Sequence, residues 1–230
     1  MPLWNTDEEL FALTRRELFT ALVGDVLDKM GLMHQFLPPA IKPLDDSMVV
    51  IGRAMPVLES DVELIDETRL TNPGVAKPFG LMFDAVDDLK TNEVYVCCGA
   101  SPAYALWGGL MSTRAIKLGA AGVVMDGYSR DTPEIRELGF PTFSIGTYAQ
   151  DQGPRGRVVD FRVPIDFAGI KVAPGDVIFG DLDGVLVVPS EAVEDSFTGA
   201  VEKARGEKDV RKALELGMST KDAFEQFGIM

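Results

Sequence analysis

In 230 residues the sequence carries one histidine, His34, and two cysteines, Cys97 and Cys98. A lone histidine, in a loop beside Gln35 and nearby prolines, argues against a Ser-His-Asp triad or a histidine phosphocarrier. Adjacent cysteines rarely close a relaxed disulfide, and no C-x-x-C spacing exists for metal or redox work. Two small core residues in a strand is the simpler reading. Positive charge is also scarce: 22 Lys and Arg face 36 Asp and Glu, a net −14. This argues against nonspecific binding to nucleic acid or anionic membrane, which needs clustered cations. It leaves a small acidic substrate open, because one local arginine can reverse the field inside a cleft.

Other absences narrow the class further. No run approaches the ~20 apolar residues of a membrane span. The first residues lack a basic segment followed by an apolar one, so no signal peptide is expected and a cytoplasmic location is predicted. There is no G-x-x-x-x-G-K-[ST] loop and no convincing dinucleotide fingerprint. A Schiff-base lysine needs a desolvated pocket or a cationic neighbour, whereas Lys90 and Lys117 read as exposed. No proline- or serine-rich linker, repeat or low-complexity segment divides the chain.

What remains is an ordinary globular composition, 46% hydrophobic and 25% charged, enough for a sizeable core. One mixed α/β domain over 1–230 is predicted, with a helical N-terminal segment at 6–31 and C-terminal helices at 190–228. Thr6-Asp-Glu-Glu9 has the form of a capping box, and Leu10, Leu13, Leu18, Leu22, Val26 and Leu27 follow at helical spacing up to Gly31. Met48–Leu58 reads as a strand interrupted by Pro56. A short helix near Phe79–Leu89 leads to a strand at Glu93–Cys97, then a glycine-bearing loop at Gly99–Trp107. A helix follows from Gly109 to Leu118, then strands at Gly122–Asp126 and Thr142–Ile145. Beyond Arg155 the segments Val158–Val163, Ile165–Ile170, Val177–Phe179 and Val185–Val188 are β-rich, separated by Pro and Gly turns. Ser190 caps a C-terminal helix that Gly217 breaks, and Ser219 starts a last short one.

Four places could carry chemistry. Trp107-Gly108-Gly109-Leu110-Met111-Ser112 enters a helix, and free amides at a glycine-rich helix N-terminus suit an anion such as a pyruvate-like carboxylate. A plain connection into a helix would look the same. Arg130-Asp131 follows a buried strand, where ligand sites of α/β proteins lie. The guanidinium can grip a carboxylate and the aspartate can hold a divalent cation, although a solvated ion pair is the plainer alternative. Asp181-Leu-Asp183-Gly184 is turn chemistry rather than a ligand set. Glu207, read by itself, belongs to a solvated helix face.

The order and spacing of several segments resemble the RraA-like family, which includes class II 4-hydroxy-4-methyl-2-oxoglutarate/4-carboxy-4-hydroxy-2-oxoadipate aldolases and regulators of ribonuclease E. The segments are Asp25-Val-Leu-Asp28-Lys-Met-Gly31, Val50-Ile-Gly52-Arg-Ala54, Trp107-Gly-Gly-Leu-Met111 and Gly119-Ala-Ala-Gly-Val-Val-Met-Asp-Gly-Tyr-Ser-Arg-Asp131. Gly139-Phe-Pro141, Pro174-Gly-Asp176 and Asp181-Leu-Asp-Gly-Val185 continue the pattern, from about Leu18 to the C-terminus. The resemblance implies a swivelling β/β/α fold, assembled as a trimer or dimer of trimers with sites between subunits. It implies that Arg130 binds a pyruvyl group, that Asp131 anchors Mg²⁺ or Mn²⁺, and that the loop of Gly108, Gly109, Leu110 and Met111 cradles the carboxylate. It also implies that Glu207 reaches a neighbour's site.

One position departs from the aldolases. They carry a water-positioning acid with twenty residues between it and the Arg-Asp pair, and that place holds Gly109 here. Asp84 or Asp87 could supply the missing carboxylate. The expected activity is a divalent-metal-dependent lyase acting on a 2-oxo acid, by retro-aldol cleavage or oxaloacetate-type decarboxylation through a pyruvate enolate. The alternatives are a non-catalytic regulatory protein or a different reaction on a related acid.

Overall fold

The computed structural model describes residues 2–229, which form two compact units: a helical one, residues 2–33 with 191–229, and a β-rich one, His34–Ser190. The helices are α1 (Asp7–Glu17), α2 (Thr20–Lys29), α3 (Met82–Asp87), α4 (Gly109–Leu118), α5 (Thr132–Leu138), α6 (Val193–Glu215) and α7 (Thr220–Phe227). Among the described residues, no helix is long and apolar enough to cross a membrane.

The helical unit consists of α1, α2, α6 and α7. Thr6 caps α1 through its hydroxyl to the Glu9 amide at 3.2 Å, while the Glu9 carboxylate takes the amide of Asn5 rather than that of Thr6. The leucine stripe from Leu10 to Leu27 is carried by two helices rather than one, because Leu18 and Phe19 are extended. Both sides of the break stay paired, with Leu18 N–H on Thr14 O. Leu10, Leu13, Leu22 and Leu27 are buried, as their spacing requires.

The strands of the other unit are β1 (Lys42–Pro43), β2 (Val50–Asp61), β3 (Glu93–Cys98), β4 (Ala105–Trp107), β5 (Gly122–Met125), β6 (Tyr128–Ser129), β7 (Thr142–Ser144) and β8 (Gly146–Thr147), then β9 (Gly156–Phe161), β10 (Ile165–Phe167), β11 (Ile170–Val172), β12 (Val177–Gly180) and β13 (Val185–Val188). The main sheet runs β1-β7-β5-β3-β2-β12-β13, with β9 also on β2. Strands β7, β5, β3 and β2 are parallel neighbours, and β9 and β12 join β2 antiparallel. Val94 to Cys98 and Gly122 to Met125 are buried throughout, which explains their unbroken apolar runs. The chain therefore has the mixed α/β architecture expected of the swivelling β/β/α class, with helical segments toward both ends.

Pro56 does not interrupt β2. Arg53 is the last residue paired with β12 and Val57 the first paired with β9. The Pro56 carbonyl accepts Arg162 N–H at 2.8 Å, so its missing donor faces the seam between those two partners, where no ladder bond is lost. The segment Ile165–Ile170 is likewise two strands. Ala168 and Gly169 both take positive φ, 52° and 89°, and make the tight turn of a hairpin.

Short strands β4, β6 and β8 form a separate parallel sheet. β6 and β8 lie just past the C-terminal ends of β5 and β7, so the chain leaves the main sheet and immediately enters the smaller one. Arg130 and Asp131 follow β6 directly, outside the carboxyl ends of parallel strands.

Candidate active site

The N-terminus of α4 is built on a rigid aromatic base. Trp107 is 1% exposed, packs 4.9 Å from Tyr95 between ring centroids and stacks on Phe140 at 6.0 Å. Its indole N–H donates to Ser112 Oγ at 2.7 Å, and the Ser112 hydroxyl and amide both donate to Gly108 O at 3.1 Å. This closes the first turn of α4 without a side-chain cap. Leu110 and Met111 N–H groups are left without an acceptor among the described residues. Such amides carry the positive end of the helix dipole. α4 ends at Gly119, whose φ of 80° makes the left-handed cap.

The Arg130 amide donates to Trp107 O at 2.9 Å, tying the end of β6 to the start of α4. Asp131 then takes a left-handed conformation, φ 59°, before α5 begins. Aspartate tolerates this better than most residues, and the conformation brings its carboxylate back toward α4. Oδ2 accepts Gly109 N–H at 3.0 Å and lies 3.9 Å from Arg130 Nε. A Cβ at Gly108 would come 2.6 Å from the same oxygen, so glycine is what permits this approach.

These residues open onto a cavity of about 270 Å³. Its lining combines apolar Phe79, Met82 and Phe83 with polar Arg130, Asp131 and Asp151. Predicted residues Gly108, Leu110, Met111, Arg130 and Asp131 all line it, and Gly109 stands between two of them. Glu207 is on α6 of the helical unit, 3.7 Å from Lys203 Nζ, and is not among the residues that line the cavity.

Sequence reading missed Asp151 and Gln152, which enter from the loop between β8 and β9. Asp151 Oδ1 sits 2.7 Å from Arg130 Nη1. The buried Gln152 side chain donates to Glu59 Oε2 at 2.6 Å, and Glu59 is only 2% exposed. Burial pushes the Glu59 carboxyl up to about 8, so it is protonated at neutral pH. Its Oε1 and the Tyr95 hydroxyl have no hydrogen-bond partner among the described residues. No local sequence signal marks these loop residues, because they reach the site only through the path of the chain after β8.

The other candidate acids are elsewhere. Asp87 is held by Arg114 Nε at 2.6 Å, and neither Asp84 nor Asp87 lines the cavity. The Asp181–Gly184 segment is a turn, as its composition predicts, with Asp181 N–H on Gly184 O at 3.0 Å. Cys97 and Cys98 are buried, free thiols in β3; burial pushes Cys98 up to about 12, far from thiolate chemistry. No group of three or more His, Cys, Asp or Glu among the described residues is arranged to hold a metal ion. An all-protein cage is thus lacking, but Mg²⁺ normally takes only one or two carboxylates and keeps several waters, which the partly exposed Asp131 carboxylate fits.

A family description, Aldolase/RraA, matches residues 20–187. A protein of Halalkalibacterium halodurans named "Putative 4-hydroxy-4-methyl-2-oxoglutarate aldolase" is 30% identical over 202 residues, covering 86% of each chain. Protein DlpA of Legionella pneumophila is 26% identical over 90% of this chain, which spans only 32% of that protein's length. Among solved structures, Streptomyces coelicolor RraAS2, described as an unusual member of the RNase ES inhibitor RraA protein family, superposes with a TM-score of 0.75. It covers 91% of this chain and 99% of its own at 24% identity, a likeness of fold.

Proposed function

The chain belongs to the RraA-like family, and from that premise we propose that it is a divalent-metal-dependent lyase cleaving a 2-oxo acid through a pyruvate enolate. The observation that carries this reading is the convergence, in one cavity, of the Arg130 guanidinium, the Asp131 carboxylate and the free amides of Leu110 and Met111. The two amides and Arg130 would bind the substrate carboxylate and 2-oxo oxygen. The apolar wall of Phe79, Met82 and Phe83 would exclude water from the carbon skeleton.

Charge supports a cation here. The charged residues lining the cavity are one guanidinium and two carboxylates, a poor host for an anion unless a dication joins Asp131. Mg²⁺ or Mn²⁺ bound by Asp131 would supply Lewis-acid polarisation of the 2-oxo group. Arg130, whose backbone N–H donates to Trp107 O, would turn its guanidinium to the oxygen on which negative charge develops. Gly109 N–H holds Asp131 in place for its role. Assembly as a trimer or dimer of trimers, in which the partner subunit's Glu207 completes the site, is part of the same proposal.

The test is a pyruvate-release assay across 2-oxo acids with Mg²⁺ and Mn²⁺, coupled to lactate dehydrogenase. Arg130→Ala and Asp131→Ala should each lower turnover by ~10²–10³, the usual cost of losing such an electrostatic group. Full activity in Asp131→Ala would sink the mechanism. No pyruvate from any 2-oxo acid, with a stable protein partner recovered instead, would favour a regulatory role.

A further inference from the structure

Retro-aldol cleavage of a 4-hydroxy-2-oxo acid requires a group that removes the C4 hydroxyl proton. That group must face the substrate, so it must belong to the cavity lining. Among the described residues, Asp131 and Asp151 are the carboxylates of that lining. Glu134, in the first turn of α5, stands against Gly109 but does not line the cavity. Asp131 accepts Gly109 N–H and is assigned to the cation, which leaves Asp151.

The loop after β8 holds Asp151 firmly. The Gln150 carbonyl accepts Ala105 N–H at 2.9 Å, which fastens the loop to β4, and the Asp151 carbonyl accepts Arg155 Nη1 at 3.0 Å. The next residue, Gln152, is anchored on the buried Glu59 carboxyl at 2.6 Å. Within the side chain, Oδ2 accepts Gly153 N–H at 3.2 Å, while Oδ1 lies 2.7 Å from Arg130 Nη1. The Asp151 side chain remains 43% exposed, so a bound molecule can touch it. Arg130 is the group assigned to the substrate carboxylate and 2-oxo oxygen. A substrate that takes the guanidinium detaches Oδ1 and leaves a carboxylate, still held by Gly153, beside the bound molecule.

We infer that Asp151 is the catalytic base of this site, freed when the substrate captures Arg130; the inference rests on the lyase reading above. Oδ1 takes the proton of the C4 hydroxyl, and the O–H electron pair becomes the second bond of the C4 carbonyl. The C3–C4 bond breaks, and its electrons form the enolate of pyruvate. The proton on Asp151 then passes to C3, so the carboxylate is regenerated and no other reactant is consumed. The plain alternative is a loop residue that only braces the Arg130 guanidinium.

Oxaloacetate separates the two, because its decarboxylation has no hydroxyl proton to remove and its enolate takes a proton from water. Asp151→Ala and the shape-conserving Asp151→Asn would be assayed with Mg²⁺ for pyruvate release from 4-hydroxy-2-oxo acids and from oxaloacetate. Mn²⁺ affinity by EPR and thermal unfolding serve as independent readouts. Both variants should lose ~10²-fold or more in kcat for aldol cleavage, with no rise in KM. Oxaloacetate turnover should stay within about threefold, because a missing base affects only the step that needs it. Mn²⁺ affinity and melting temperature should remain near those of the unaltered protein. Undiminished aldol cleavage in Asp151→Asn would overturn the inference while leaving the lyase reading intact. So would an unaltered protein that decarboxylates oxaloacetate but cleaves no 4-hydroxy-2-oxo acid. An equal loss on both substrates would make Asp151 a brace for Arg130, and a loss that tracks weakened Mn²⁺ binding would make it a cation ligand; either overturns the inference. An unaltered protein inactive on every 2-oxo acid would overturn both.

Discussion

The Asp151 carboxylate lies 2.7 Å from Nη1 of Arg130, so the cation that faces the cavity already holds an internal anion. The two residues come from different loops, one after β6 and one after β8, and both are partly exposed. An incoming substrate carboxylate must compete with Asp151 for the guanidinium or bind where the aspartate leaves it free.

Removing that competition should strengthen binding. Asp151→Asn keeps the shape and deletes the charge, and the dissociation constant for oxalate, a planar mimic of the pyruvate enolate, should fall by about tenfold at low salt. Isothermal titration with Mg²⁺ present measures it. Weaker oxalate binding in Asp151→Asn would mean that the aspartate serves the ligand or cation rather than competing for Arg130.

Gly108 permits the approach of Asp131 to α4. The backbone there is extended, φ −148°, so alanine fits conformationally. The obstacle is the carboxylate, 2.6 Å from where the Cβ would be. Gly108→Ala should push Asp131 off the Gly109 amide and weaken Mn²⁺ binding by about 10–100-fold, the scale seen when a ligand loses its support. Melting temperature should change little, because the aspartate is at the surface of the cavity. Mn²⁺ affinity within error of the unaltered protein would show that the Gly109 hydrogen bond does not position this carboxylate.

Glu59 imposes a pH dependence on stability. Its folded-state value, about 8, is above the ordinary carboxylate value of 4.5. The folded state therefore retains a proton that the unfolded chain gives up, and the contribution is complete below about pH 4.5. It declines as pH rises and is lost through about pH 8, where the buried group must ionise or the chain unfold. Glu59→Gln keeps a neutral hydrogen-bonding group opposite Gln152 and should flatten this decline. Denaturant titrations at pH 5.5 and pH 9 should give a larger gain for Glu59→Gln at the higher pH, on the order of a few kcal/mol. An equal effect at both values would exclude ionisation of Glu59 as the cause.

Much of the site is legible in the amino-acid sequence. Gly109–Leu118 is a helix as its composition and flanking glycines predict, and Arg130-Asp131 follows a buried strand as the apolar run preceding it requires. Local chemistry carries that information: periodicity identifies buried segments, and glycine marks places where backbone must approach closely. Other features are invisible locally. Pro56 reads as a break because proline lacks a donor, yet β2 continues through it, since the gap between β12 and β9 falls at that residue. The stripe from Leu10 to Leu27 has one periodicity but two helices, because extended backbone at Leu18 and Phe19 preserves which residues are buried.

The sequence alone therefore determined the fold class, the segments that form the core and the Arg130-Asp131 pair, since each depends on residues close together in the chain. Only the tertiary structure decided what surrounds that pair. Asp151 meets Arg130 because β6 and β8 are neighbours in a small parallel sheet, and the loop that follows β8 also brings Gln152 to the buried Glu59 carboxyl. Glu134 stands over Gly109 because α5 starts where Asp131 turns back toward α4. The physical reason is that spacing along the chain sets which residues share a face. Which faces then meet depends on strand order and on the direction of a turn.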